Sequence, residues 1–222
     1  MANTYLTMQT RIADELLNAA VTTSHIKNAI QTAIGYYENT PFYFNQKTST
    51  FNTVSGQELY TLTDLAAIPN IFELRNSTVA LSGIKSPLLP VDYDVIDNEQ
   101  TGSVTGFPYW MSFWEQKIRL YPIPDSAYVV TLAYIQQFST LSADVDINSW
   151  MNEGEELIRQ RAKYILAMDV IIDESLAARA TKMGNDAFDG LLTETRQRMP
   201  NKQLRIPAMI SGGRSFNINR GF

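Results

Sequence analysis

The chain has 222 residues, 45% of them hydrophobic, and a formal net charge of −5 at pH 7. It contains no cysteine, which excludes disulfides, zinc–thiolate sites and cysteine catalysis. The apolar share fits a globular protein with a sizeable core, and the modest acidic excess gives no reason to expect nucleic acid on the body surface.

The opening MANTYLTMQTRIADELL lacks a basic stretch followed by an apolar core, so no secretory signal is expected. Met8, Ile12 and Leu16 fall at helical spacing, and Ile26, Ile30, Ala33, Ile34 and Tyr37 predict a second helix. Ser24 is placed to cap that helix by accepting an orphan backbone N–H. Asn39-Thr40-Pro41 should end it, because Pro41 disfavours a helical Thr40.

From residue 42 to 135 aromatic and β-branched residues rise, and Pro and Gly punctuate at short intervals. YFNQKTSTFNTV, ELYTL, IFELRNSTVAL and PYWMSFW read as short strands. The clearest hairpin joins KIRLYPI to YVVTLAYI around Pro124-Asp125-Ser126, a turn-forming trio, and Ser55-Gly56 and Ser82-Gly83 mark further turns. This spacing suggests a small antiparallel sandwich or barrel.

Helical periodicity returns after Trp150. Ile158, Ala162, Ile165, Asp169, Ile172 and Leu176 form one stripe, beside Leu157, Leu166 and Met168, on a helix expected over residues 153–173. Leu176, Ala180, Met183, Ala187 and Leu191 form the next, flanked by Phe188 and Leu192. A break at residues 173–175, capped by Asp173, would fold these into an antiparallel pair. Gly184 should cost something inside the second helix, and Pro200 should end it. The best apolar run, residues 164–172, is interrupted by Asp169 and too short to span a bilayer. A soluble protein made in a reducing cytoplasm is expected, with no membrane partner.

Residues 200–222 carry Lys202, Arg205, Arg214 and Arg220 and no acidic residue. Without those four, 14 of the 18 Lys+Arg face all 23 Asp+Glu in the body. Pro207, Gly212, Gly213 and Gly221 argue against a long helix, while Leu204, Ile206, Met209, Ile210, Phe216, Ile218 and Phe222 set the stretch apart from a solvating tail. A basic, apolar, helix-breaking end on an acidic body reads as an arm that lies on another molecule, or as a terminus packed back on its own body. The predicted class is α+β: a four-helix bundle from the N- and C-terminal helices, an inserted small antiparallel β sandwich or barrel, and an extended C-terminal arm. The expected divisions are residues 1–41, 42–149, 150–199 and 200–222.

Catalytic signatures are thin. His25 is the single histidine, beside a helix start, and no G-x-S-x-G elbow accompanies it. Asp144, Asp146, Asn148 and Glu155 match four positions of a calcium loop, but Ser149 stands where the sharp turn wants Gly. Gly212-Gly213-Arg214 lacks the ending of a phosphate loop and reads as a joint. Asp92, Asp94, Asp97 and Glu99 could supply paired carboxylates to a hydrolase, though acidic loops are common. Phe107, Tyr109, Trp110, Phe113 and Trp114 could stack on sugars or nucleobases, or fill a core and an interface. The expectation is no catalytic residue, no metal and no cofactor.

Three stretches carry a resemblance: TRIADELLNAA with SHIKNAIQTAIGYYENTPFYFNQ, the segment KIRLYPIPDSAYVVTLAYI, and MNEGEELIRQRAKYILAMDVII. In this order, followed by the tail, they resemble the head-to-tail adaptor (connector) proteins of tailed bacteriophages, especially short-tailed ones. The resemblance implies a structural virion protein at the portal vertex and not an enzyme. It implies a ring, usually of twelve copies, with helical bundles as its wall. It implies a C-terminal arm on the portal protein, a lower face for the tail nozzle and in some phages the tail fibres, and a bore that passes DNA without specific binding. On this chain the arm would anchor through Lys202, Arg205, Arg214 and Arg220, with Ile206, Phe216 and Phe222 filling pockets. The alternative is a carbohydrate- or receptor-binding module of a phage tail, using Trp110 or Trp114.

Overall fold

The computed structural model describes residues 3–61, 64, 70–100 and 102–198. Helix α1 (Tyr5–Leu16) starts where the Thr4 hydroxyl accepts the Thr7 N–H, and it stops at Leu17, whose φ is 46°. Helix α2 (Thr23–Tyr37) is capped by Thr22 and not by the expected Ser24. The Thr22 hydroxyl accepts the His25 N–H at 3.3 Å, and His25 Nδ1 accepts the Thr22 N–H at 3.4 Å. Two orphan donors are thus satisfied reciprocally, whereas Ser24 already lies within the first turn.

Strands β1 (Gln46–Asn52), β2 (Leu59–Tyr60), β3 (Ile71–Leu81), β4 (Ile84–Pro87) and β5 (Leu89–Pro90) precede a short helix α3 (Tyr93–Glu99). Strands β6 (Thr105–Gly106), β7 (Trp110–Trp114), β8 (Lys117–Tyr121), β9 (Ile123–Pro124) and β10 (Val129–Gln136) follow it. One sheet has the order β1-β10-β3-β4, a second β2-β8-β7-β5, and β6 pairs with β9. Most pairings are antiparallel, as expected, but β5–β7 and β6–β9 are short parallel ones. No closed barrel forms among the described residues.

The hairpin expected from residue 117 to 135 does not form. Strand β8 pairs with β7 and β2 in one sheet, while β10 lies between β1 and β3 in the other. Pro122 and Pro124 offer no backbone N–H to a ladder, so the chain leaves its sheet there. Beyond the turn, β10 finds antiparallel partners on both sides. The hairpin that does form is β7–β8, where Trp114 faces Lys117 across Glu115 and Gln116 at φ 49° and 58°. Both central residues take the left-handed conformation of a primed turn, without a glycine. The turn at Ser82-Gly83 joins β3 to β4 as expected, with φ 49° and 85°.

After the single turn α4 (Ser149–Asn152), capped by Asn148, comes helix α5 (Glu155–Leu166). The helix expected over residues 153–173 forms without a gap from Glu155 to Ile171. It widens into a π-helical turn at Ala167–Ile171 and closes on Ile172 at φ 59°. Ile172 is therefore exposed (82%) and Met168 is 45% exposed, so the inferred stripe leaves the core here. Asp173 does cap the next helix, α6 (Glu174–Arg198), through the Ser175 and Leu176 N–H groups.

Two buried clusters result. One gathers Tyr5, Met8 and Ile12 of α1, Ile26 and Ile30 of α2, Trp150, Leu157, Ile158 and Leu166, and Leu191 of α6, with Phe42 and Phe44. Phe42 and Phe44 meet the Trp150 ring edge to face, at 5.8 and 4.9 Å between centroids. The other joins the two sheets through Tyr60, Met111, Ile118, Val79, Val130, Leu132 and their neighbours. Gly184 lies where α6 meets α5, its Cβ position 3.6 Å from Gln160 Cβ.

Candidate assembly surfaces

The arm residues singled out by sequence, Lys202, Arg205, Ile206, Arg214, Phe216, Arg220 and Phe222, lie outside the described residues, as does the Gly212-Gly213-Arg214 joint. What the structure describes is the end of α6, which precedes them in the chain. Arg198, in the last turn of α6, places its guanidinium 4.1 Å from the centre of the Tyr43 ring and also pairs with Glu194. The Tyr43 N–H donates to the Thr195 hydroxyl at 3.2 Å, and its phenol donates to Glu153. Burial, then the Glu153 carboxylate, push the Tyr43 pKa up to about 12. Tyr43 rests edge-on against the buried Phe44. The end of α6 is thus tied to the segment between α2 and β1 and, through Tyr43, to the buried Phe44. Sequence reasoning read Tyr43 as part of a strand and missed it; only the fold brings residues 43, 153 and 198 together.

A second surface lies across α1 and α5. Arg11 pairs with Glu155 at 3.1 Å, Glu15 with Lys163 at 2.7 Å, and Arg159 with Glu15, Glu155 and Glu156. Rising numbers on α1 meet rising numbers on α5, so the two helices run in the same direction. Burial works against the Glu15 charge, but the hydrogen bond from Lys163 and the charge of Arg159 more than offset it and hold its pKa below 4.5.

The third surface is the outer face of the β2-β8-β7-β5 sheet. Alternation places Trp110, Ser112 and Trp114 opposite Tyr121, Arg119 and Lys117 on one face. Helix α3 lies against this sheet through Arg119, whose side chain is only 8% exposed. Arg119 pairs with Glu58, reaches Asp97 at 3.1 Å and Gln100 at 3.4 Å, and lies 4.6 Å from the centre of the Tyr93 ring. Burial opposes its charge, yet Glu58 and Asp97 hold it more firmly protonated than a free arginine. Of the acidic group read from sequence, Asp97 is thereby committed to a cation. Of the aromatic group, Trp110 stacks on Tyr121 at 5.6 Å, Phe107 meets Tyr128 edge-on, and Phe113 packs on the sheet core. Tyr109 and Trp114 stay open, at 43% and 62% exposure.

The other candidates serve local structure. Asp144 takes Lys27 and Gln9, Asp146 accepts the Ser142 and Ala143 N–H groups, Asn148 caps α4 and Glu155 pairs with arginines. His25 completes its capping box. No group of three or more His, Asp or Glu residues able to hold a metal occurs among the described residues. No helix among them is long and apolar enough to cross a membrane.

What these residues offer a partner is surface: paired charges on helices, an aromatic ledge on a sheet, and a tied helix end that precedes a basic segment in the chain. The chain belongs to the SU10 adaptor protein family, which matches residues 3–206. The match spans the region between the first two stretches that carry the resemblance and enters the C-terminal segment. The likeness to phage head-to-tail adaptors therefore stands. No curated protein matches the chain.

Proposed function

We propose that the protein is a non-enzymatic virion component that forms a ring joining the capsid portal to the tail nozzle. DNA passes through its bore on ejection. The observation that carries this reading is membership of an adaptor family over residues 3–206, on a chain whose last 23 residues are basic and apolar. Twelve copies would form the ring, each using two different complementary faces, because a ring interface is heterologous. Helices α1, α2, α5 and α6 would act as one bundle in the wall, residues 42–149 as the inserted β domain and residues 200–222 as the arm.

The arm would dock on the portal through Lys202, Arg205, Arg214 and Arg220 and through Ile206, Phe216 and Phe222. Weak contacts repeated around a ring reinforce one another. The acidic body suits a bore that repels phosphates and lets DNA slide. Tail fibres would be a further partner.

The test is deletion of residues 200–222 followed by pull-down with the portal. Loss of binding by a folded body is expected; unchanged binding overturns the arm. Mass photometry should find rings only when the portal is present. A second reading, a glycan- or receptor-binding module, draws on the open Trp114 ring. It requires a glycan-array signal that Trp114→Ala abolishes.

A further inference from the structure

Beside the Arg119 site lies a cavity of about 470 Å³ bounded by Asp92, Tyr93, Asp94, Ser112, Phe113 and Trp114. It shares Tyr93, Ser112 and Trp114 with the Arg119 cavity but does not include that arginine. Asp92 stands at the head of α3 without a side-chain capping bond, and Asp94 follows in the first turn. Neither carboxylate has a partner among the described residues, whereas Glu58 and Asp97 hold Arg119 and Glu115 holds Lys117. Tyr93 already takes one guanidinium against its ring. The second cavity repeats that chemistry, with an aromatic wall and free carboxylates, and lacks the cation. A guanidinium satisfies both at once, by stacking and by charge-assisted hydrogen bonds.

We propose that this cleft docks the chain's own C-terminal segment, residues 211–222, through Arg214 or Arg220. Charge complementarity names the occupant: the segment is basic with no acidic residue, and apolar Phe216 and Phe222 each follow an arginine by two positions. Arg214 lies 16 residues beyond Arg198, so the linking chain can extend up to roughly 55 Å. The cleft holds the arm in the free chain, and a portal would have to displace it. The inference goes beyond the portal reading and does not need it.

The test uses a fluorescently labelled peptide of residues 211–222 and, as acceptor, the full chain carrying Arg214→Gln and Arg220→Gln, so that its own segment does not compete. Saturable anisotropy is expected, weakening with salt. Adding Asp92→Asn and Asp94→Asn to the acceptor, or glutamine for both arginines in the peptide, should weaken binding roughly tenfold or more. Equal affinity in either case, or no saturable binding at about 1 mM peptide, overturns the proposal. Trp114→Phe should retain most binding and Trp114→Ala should not; equal binding by both removes the aromatic wall from the site and overturns it. An arm whose deletion abolishes portal pull-down while its peptide ignores the cleft sinks this inference alone.

Discussion

Arg198 and Tyr43 are 155 positions apart in the chain, yet the guanidinium of one lies 4.1 Å from the ring centre of the other. This contact ties the last turn of α6 to the segment that leads into β1. Residues 200–222, read from sequence as a basic arm, follow directly on this tied turn in the chain.

Tyr43 gives that contact a pH signature. Its pKa is raised from 10.0 to about 12, so the folded state disfavours its ionisation. The stability this contributes is fully present below pH 10 and is lost as pH rises from 10 towards 12. Thermal melts should fall across that window. Tyr43→Phe should reduce the fall and cost about 1 kcal/mol at neutral pH. Spectroscopic titration that finds every tyrosine ionising near pH 10 overturns this.

Glu15 has the opposite sign. Its pKa lies below 4.5, so its contribution is present above that pH and is lost as pH falls below it. Acid should loosen α1 from α5. Glu15→Gln should cost up to about 1 kcal/mol at pH 7, since the pairs are partly solvated. It should make the remaining stability less sensitive to pH below 4.5, read by acid titration of helical circular dichroism.

Removing the guanidinium of Arg119 strands Glu58 beside the β2-β8-β7-β5 sheet. Arg119→Met is expected to destabilise by roughly 2–4 kcal/mol, because breaking one side of a buried pair leaves a charge uncompensated. Arg119→Lys should recover little, since a point charge cannot serve Glu58, Asp97 and Gln100 together. Full recovery by lysine in chemical denaturation would show that charge alone suffices.

Two glycines should respond oppositely to alanine. At Gly184 a Cβ meets only Gln160 Cβ, at an ordinary 3.6 Å. Gly184→Ala should therefore stabilise by about 0.5–1 kcal/mol, the usual helix-interior gain. At Gly154 a Cβ would come within 2.8 Å of the ring of Trp150, which is fully buried. Gly154→Ala should cost roughly 1–3 kcal/mol by overpacking. Melting temperatures that move together would contradict the pair.

The four long helices were legible because their cause is local, whereas the short α3 and α4 fall where the sequence reads as loop. Apolar residues at helical spacing marked α1, α2, α5 and α6, and Asp173 announced its own cap. Ser82-Gly83 likewise carries its turn within two residues. The cap of α2 needed one more piece, since His25 completes the box with Thr22 in place of the usual Glu or Gln. The adaptor likeness was legible in the order and phrasing of whole stretches, with no single motif behind it.

The sheets were another matter. Periodicity says that residues 117–135 make strands, and it is silent on which strand each will pair with. Strand β8 joined β7, and β10 went between β1 and β3, because pairing depends on distant backbone donors and on prolines that break a ladder. The same holds for the tied helix end at Tyr43, the clamp around Arg119 and the cleft at Asp92 and Asp94. Each is assembled from residues whose partners come from other elements. Sequence by itself determined the long helices and the main strand segments, the acidic body with its basic end, and the family. Tertiary structure alone decided which surfaces those elements build, since a hydrogen bond, a stacked ring or a buried charge acts across space and leaves no period along the chain.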